Sequence, residues 1–282
     1  MTRIITDSAA DFEPAELERM RISCIPLTVY FGDTEYHENE NLSKDQFYEL
    51  LAASESFPKT SQASPQILLD LLEDSIPKGD DAIYITLSSS LSGTYQNAVM
   101  AQRLIGSDKC HVVDSLNGTG GQRMVVEYAV HLRDEGKTAS QIVDALETMR
   151  DRIELYACID TLEYLYRGGR ISQTAYKLGT LANIKPIISV DKTGTVAVPA
   201  KTMGMRKGME RLCKRLDMCR PDLDFPLYVM YTNNRAVGEA LAEKIRAMGF
   251  EVPDDRIIQV GAAIGAHIGP EACGLVYVGE MA

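Results

Sequence analysis

A chain of 282 residues that is 45% apolar carries enough hydrophobic material for a large core and too much for disorder. Its 40 acidic and 29 basic side chains leave a formal net charge of −11, which disfavours nucleic acid as a partner, because phosphate binding rewards surplus Lys and Arg. No apolar run approaches the ~18 residues of a membrane span. The six cysteines form no CxxC pair, and the four histidines lack ligand spacing, so neither a disulfide framework nor a metal site is expected.

In chain order, Arg3 to Thr6 reads as a strand ending in Thr6-Asp7-Ser8. Met1 to Asp11 is strand-like and not a basic, apolar leader, so no signal peptide and a cytoplasmic location are expected. Asp11 to Met20 reads as a helix with Pro14 in its first turn, and Ile22 to Tyr36 as a hairpin around Gly32-Asp33. Ser43 caps a helix running through Ala53. Pro58 to Pro65 is an extended polar loop, followed by a helix from Gln66 to Asp74.

Asp81 to Leu87 is a buried strand, and it runs into Ser88, Ser89, Ser90, Ser92 and Thr94 around Gly93 before a helix from Tyr95 to Ile105. A strand passing through a hydroxyl-rich turn into a helix brings free N–H groups and a positive dipole end to one point, an anion site with neutral donors. Cys110 to Val113 is another strand with an Asp114-Ser115 end, followed by helices at Gln122 to Asp134 and Ala139 to Arg152. This βαβα rhythm predicts an N-terminal, mostly parallel Rossmann-like sheet, whose ligands gather beyond the carboxyl ends of its strands.

Near Glu154 the rhythm changes. Leu155 to Ile159 is a strand, and Thr161 to Tyr166 is a short helix leading into Gly168-Gly169-Arg170-Ile171-Ser172. Pro186 to Val190 and Val196 to Lys201 form a second hairpin. A helix at Arg206 to Leu216, a strand at Leu227 to Tyr231, a helix at Ala236 to Met248 and strands at Ile257 to Val260 and Gly274 to Val278 follow. The expectation is an α/β domain over 1–160 and an α+β domain over 161–282, with the ligand between them.

Several features compete for a chemical role. The hydroxyl turn lacks the GxSxG pattern of serine hydrolases, yet Ser92 with His267 could still form an acyl hydrolase pair in space. Asn117 to Arg123, NGTGGQR, departs from both GxGxxG and the phosphate-loop pattern, and reads better as a close strand-to-helix turn than as a nucleotide site. Asp7 and Asp114 read as caps more than as metal ligands or bases. The basic residues Arg206, Lys207, Arg211, Lys214 and Arg215 are the solvated face of an amphipathic helix. His267, set between Gly265 and Gly269-Pro270, divides evenly between core residue and ligand contact. Arg170 divides evenly between a buried ion pair and a partner's phosphate. No Lys or Arg lies in Ser88 to Asn97, which favours a carboxylate over a phosphate as the anion.

Taken together, TDSAADF (Thr6 to Phe12), TSQASP (Thr60 to Pro65), SLSGTYQNA (Ser90 to Ala98), GGRIS (Gly168 to Ser172) and GAHIGP (Gly265 to Pro270) resemble the DegV family of fatty-acid-binding proteins. The match runs in order across nearly the whole chain. It departs at Ala63, where proline is usual, at Glu271, where glycine is usual, and in NGTGGQR. The resemblance implies a long-chain fatty acid buried between two domains, its carboxylate held by Thr60, Ser61, Ser92 and Gly93 and a network reaching His267. It implies a carrier and not a catalyst, with no cofactor. The carrier would present the acyl carboxylate to a separate ATP-dependent fatty acid kinase that forms acyl phosphate for phospholipid synthesis, with Arg170 a candidate for docking that partner.

Overall fold

The computed structural model describes residues 2–73, 79–177 and 183–281. The first half runs β1 (Thr2–Asp7), α1 (Pro14–Met20), β2 (Ile22–Ile25), β3 (Thr28–Phe31), β4 (Thr34–His37), α2 (Lys44–Ala53), β5 (Lys59–Ser61) and α3 (Pro65–Glu73). It continues through β6 (Asp81–Thr86), α4 (Thr94–Ile105), β7 (Cys110–Asp114), α5 (Thr119–Asp134) and α6 (Ala139–Arg150). The second half runs β8 (Ile153–Ile159), α7 (Glu163–Arg167), α8 (Gln173–Lys177), β9 (Ile184–Val190), β10 (Val196–Met203) and α9 (Gly204–Met218). It closes with β11 (Tyr228–Tyr231), α10 (Arg235–Ala247), β12 (Ile257–Gln259), α11 (Ala262–Ile268) and β13 (Ala272–Val278).

Strands β2-β1-β6-β7 form a parallel sheet in that order. Its strands are apolar on both faces because helices cover both. Ile4, Ile83 and Ile85 point toward α5 and α6, where they meet Val125, Val126 and Ile142. Ile5, Ala82 and Tyr84 point the other way, toward Leu68 and Leu72 of α3 and Ala98 and Ala101 of α4. The predicted α/β class is therefore present, with the second half organised as a mixed sheet.

That second sheet has the order β10-β9-β8-β13-β11-β12 and is antiparallel except for the β11–β12 pair. Its first strand in sequence is β8, so the sheet begins at Ile153. Cys158, Ile187 and Leu275 face α9 and α10 on the outside. On α9, Met209, Leu212 and Leu216 are buried while Arg206 is exposed, the amphipathic split its sequence predicts. The opposite sheet face turns toward α5, whose residues from Thr119 to Val126 are all buried. Helix α5 is thus a layer shared by both sheets: one core joins Ile4 and Ile83 of the first to Leu155, Met230 and Val276 of the second.

The glycines of NGTGGQR make that layer fit. A Cβ on Gly120 would lie 2.7 Å from Val276 Cγ1 and 2.9 Å from Met230 Sδ, so only glycine lets the first turn of α5 touch the second sheet. The turn is built for packing, as the spacing suggests. Thr119 donates its hydroxyl to the buried Asp11 carboxylate, which makes this end unsuited to a phosphate.

Two local expectations need correction. Ile22 to Tyr36 is not one hairpin: β2 pairs in the parallel sheet, Pro26 interrupts the run, and the hairpin is β3–β4 with Gly32 at φ +60. The extended loop at Pro58 to Pro65 contains β5, which pairs with β3 and sets Thr60 opposite Val29. The predicted helix end at Asp74 lies outside the described residues.

Candidate functional site

Between the sheets lies a cavity of ≈ 360 Å³, within the roughly 300–1,000 Å³ span of small-molecule pockets. One end is polar, lined by Thr60, Ser61, Gln62, Ser92, Gly93, Arg170 and His267. The rest is apolar: Leu155, Ala157, Ile188, Val190 and Val196 come from the inner face of the second sheet. Leu27 and Leu87 close it from the first half, with Ile264 and Ile268 from α11. All six residues singled out from the sequence meet at its polar end.

Each arrives for a local reason. Pairing with β3 fixes Thr60, whose Oγ1 lies 2.8 Å from His267 Nε2 across 207 residues of sequence. Gly93 is the N-cap of α4 and offers no side chain, so the first turn of that helix is left to other partners. A Cβ on Gly93 would sit 1.8 Å from Gln62 Oε1, which shows how closely that side chain crosses the turn. Ser92 Oγ is 2.9 Å from Thr94 Oγ1 and accepts from Thr94 N at 3.2 Å. Thr94 Oγ1 in turn accepts from Ala63 N, which ties TSQASP to the hydroxyl turn.

His267 sits near the end of α11 with its ring against Gly168, where an added Cβ would fall 2.1 Å from Nδ1. That nitrogen is buried without a partner. Burial, then the nearby Arg170 charge, push the His267 pKa down to about 4, so the ring is neutral at physiological pH. Arg170 donates Nε to Leu91 O at 3.0 Å and Nη1 to Gly168 O, bracing the hydroxyl turn against the α7–α8 loop. Among the described residues the guanidinium meets these backbone carbonyls and no carboxylate.

The hydroxyl turn divides in two. Ser88 Oγ donates to Gly194 O at 2.9 Å and Ser90 Oγ to Thr193 O at 2.7 Å, latching the turn to the β9–β10 hairpin. Only Ser92 and Gly93 of the turn's tip, with Leu91, line the cavity. Ser92 is hydrogen-bonded to Thr94 and His267 to Thr60, so no Ser92–His267 pair is assembled, and among the described residues no acid orients the imidazole. Asp7 and Asp114 are caps: Asp7 accepts from Ala9 N and Leu87 N, and Asp114 from Ser89 N and Leu116 N.

Sequence reasoning missed Gln62 and a buried acidic group behind α11. Asp11 and Glu38 are each 1% exposed, and both accept hydrogen bonds from the first backbone N–H groups of that helix. Gln62 carried a signal, standing inside TSQASP beside Thr60 and Ser61. Glu38 carried none, because its partner lies 224 residues away.

An apolar cavity between a parallel and a mixed sheet, lined at one end by hydroxyls, a neutral imidazole and the Arg170 guanidinium, is the kind of site that suits an amphipathic small molecule. The chain belongs to the DegV family: the family model described as "Uncharacterised protein, DegV family" matches residues 1–280. A DegV domain-containing protein of Caldanaerobacter subterraneus subsp. tengcongensis is 33% identical over 276 residues, covering 97% of each chain. Among solved structures, a DegV family protein from Thermus thermophilus, described by its fatty acid binding, superposes with TM-score 0.89 at 26% identity, covering 99% of each chain. DegV from Bacillus subtilis, described as a fatty acid binding protein, gives TM-score 0.84 at 28% identity over 99% of each chain.

Proposed function

We propose that this protein binds one long-chain fatty acid, with the acyl tail in the apolar cavity and the carboxylate at Thr60, Ser61, Ser92 and Gly93. The observation that carries the reading is the cavity's polarity: one hydroxyl-lined end and an otherwise apolar wall. Neutral donors and helix-end N–H groups suit a monoanion. The tail supplies the affinity, since about fifteen buried methylenes at ~0.8 kcal/mol each give roughly 12 kcal/mol gross, offset by association and ordering costs of about 4–15 kcal/mol.

His267 sets the direction of the Thr60 hydroxyl. A neutral ring has one N–H, and a buried donor without a partner is costlier than a buried acceptor. The proton therefore belongs on Nε2, donated to Thr60 Oγ1, and the Thr60 proton is free for a carboxylate. The relatives described as fatty acid-binding support this reading. Native mass spectrometry of protein purified from cells should find a co-purifying fatty acid. Ligand-free protein that also fails to bind added oleate would overturn it.

In the same reading the protein is a cytoplasmic carrier and not a catalyst. It presents the carboxylate to a separate ATP-dependent kinase that makes acyl phosphate for phospholipid synthesis. Arg170, at the polar end and half-buried, is the residue proposed to meet that partner. The acyl hydrolase alternative has no support in the geometry of Ser92 and His267. The division into 1–160 and 161–282 is likewise a proposal, and the sheet membership of β8 favours a boundary before Ile153.

A further inference from the structure

Helix α11 is seven residues long, contains Gly265, and has as its N-cap Gly261, which offers no side chain to cap it. Such a helix does not hold itself. Its N-terminus is capped from elsewhere: Glu38 accepts from Ala262 N with Oε1 and from Ala263 N with Oε2 at 3.3 Å. Asp11 accepts from Gly261 N at 2.9 Å. At the other end the same helix carries His267 to Thr60.

We propose that Glu38, aided by Asp11, is a positioning residue for the headgroup site, holding α11 so that His267 meets Thr60. The ionised carboxylate does this. Its oxygens face three donors, Ala262 N, Ala263 N and the Ser8 hydroxyl at 2.7 Å. Protonation would turn one acceptor into a donor among donors, and the first turn of α11 would lose a bond. Asp11 and the ammonium of Lys44 face Glu38, with the Cys24 thiol and Tyr48 phenol nearby, and Arg123 lies beyond Asp11. Lys44 itself is bound by Asp11 O and Glu13. Burial and the Asp11 charge push Glu38 up to about 7, and burial pushes Asp11 up to about 6, so the cap titrates near neutrality. His267, at about 4, titrates well below that window.

The affinity part of this inference rests on the fatty-acid reading, and the ring geometry does not. The test follows the His267 imidazole by nitrogen-15 NMR in the full chain, with oleate affinity alongside, between pH ~8.5 and ~5.5. In the wild type the Nε2–H should be protected at high pH and exchange about ten-fold faster at low pH, with oleate affinity falling about five-fold. The midpoint should lie at about 7. Glu38→Gln should show the fast-exchanging ring and the weaker affinity at every pH. Ser8→Ala removes a hydrogen bond to the ionised form, so it should keep both states and move the midpoint to higher pH.

If Glu38→Gln does not fold, the Ser8→Ala shift decides. A folded Glu38→Gln with a protected ring, or a Ser8→Ala midpoint equal to the wild type, overturns the proposal. Oleate that fails to bind wild type at any pH overturns the fatty-acid reading alone, and the ring signals still decide this one.

Discussion

The two halves of the hydroxyl turn use the same residue types for different ends. Ser88 and Ser90 spend their hydroxyls on carbonyls of the β9–β10 turn, joining the parallel sheet to the mixed one. Two residues on, Ser92 stays within its own turn, bonded to Thr94, with its flank on the cavity. Composition makes these serines equal, and what separates them is whether a carbonyl of the other sheet stands within reach. The latch half should therefore answer in stability and the cavity half in affinity.

The largest effect should come from breaking the latch by force. Gly194 has φ +76, and a Cβ there would fall 2.1 Å from Ser88 Oγ. Gly194→Val should cost about 2–4 kcal/mol of stability from left-handed backbone strain plus overpacking, read as a lowered denaturation midpoint. Next comes the cavity half. Thr60→Ala or Ser92→Ala should weaken fatty-acid binding by about 1–3 kcal/mol, measured by calorimetry, with little change in midpoint. Unchanged affinity in both would put the carboxylate elsewhere.

Ser88→Ala should reverse that pattern, losing about 1 kcal/mol of stability with affinity kept. A Ser88→Ala that binds as poorly as Ser92→Ala would erase the distinction between the halves. The smallest change is in mild acid, near pH ~6. His267 has its pKa lowered by folding, so the neutral ring's contribution is fully present above about 6.5 and lost as pH falls through about 4. His267→Gln should flatten that part of the stability curve, and at pH ~6 only its upper edge is sampled.

Much of the fold was legible because its signals are local. The runs of Ile4-Ile5 and Ile83 to Ile85 demanded strands covered on both faces, and Ser43 and Pro14 marked helix starts that the structure keeps. What escaped was built at a distance. Helix α11 reads poorly as AAIGAHI because its cap is supplied by Glu38 and its Gly265 is needed for contact, a Cβ there meeting Phe47 and Tyr48 at 2.7 Å. Strand β5 is three residues long and exists because β3 has a free edge. At the site, Ser92 and His267 stood out by their settings among hydroxyls and glycines, whereas Thr60 was marked only by the family resemblance. The buried acids were not, since no short-range pattern marks a carboxylate that caps a helix far along the chain.

The shared layer formed by α5 carries one more consequence. The cavity is lined by Gly118 and Thr119, where that helix begins, and by Leu155, Ala157 and Ile188 of the second sheet. An acyl tail there would abut the first turn of a helix that both sheets already use as core. The ligand would then be a piece of interior contributed by another molecule, and the folded chain would gain RT ln(1 + [L]/Kd) from it, about 2.7 kcal/mol at a hundred-fold excess over Kd. Stripping the fatty acid should accordingly lower the unfolding temperature, and the abundance of free fatty acid would set how firmly this protein is folded.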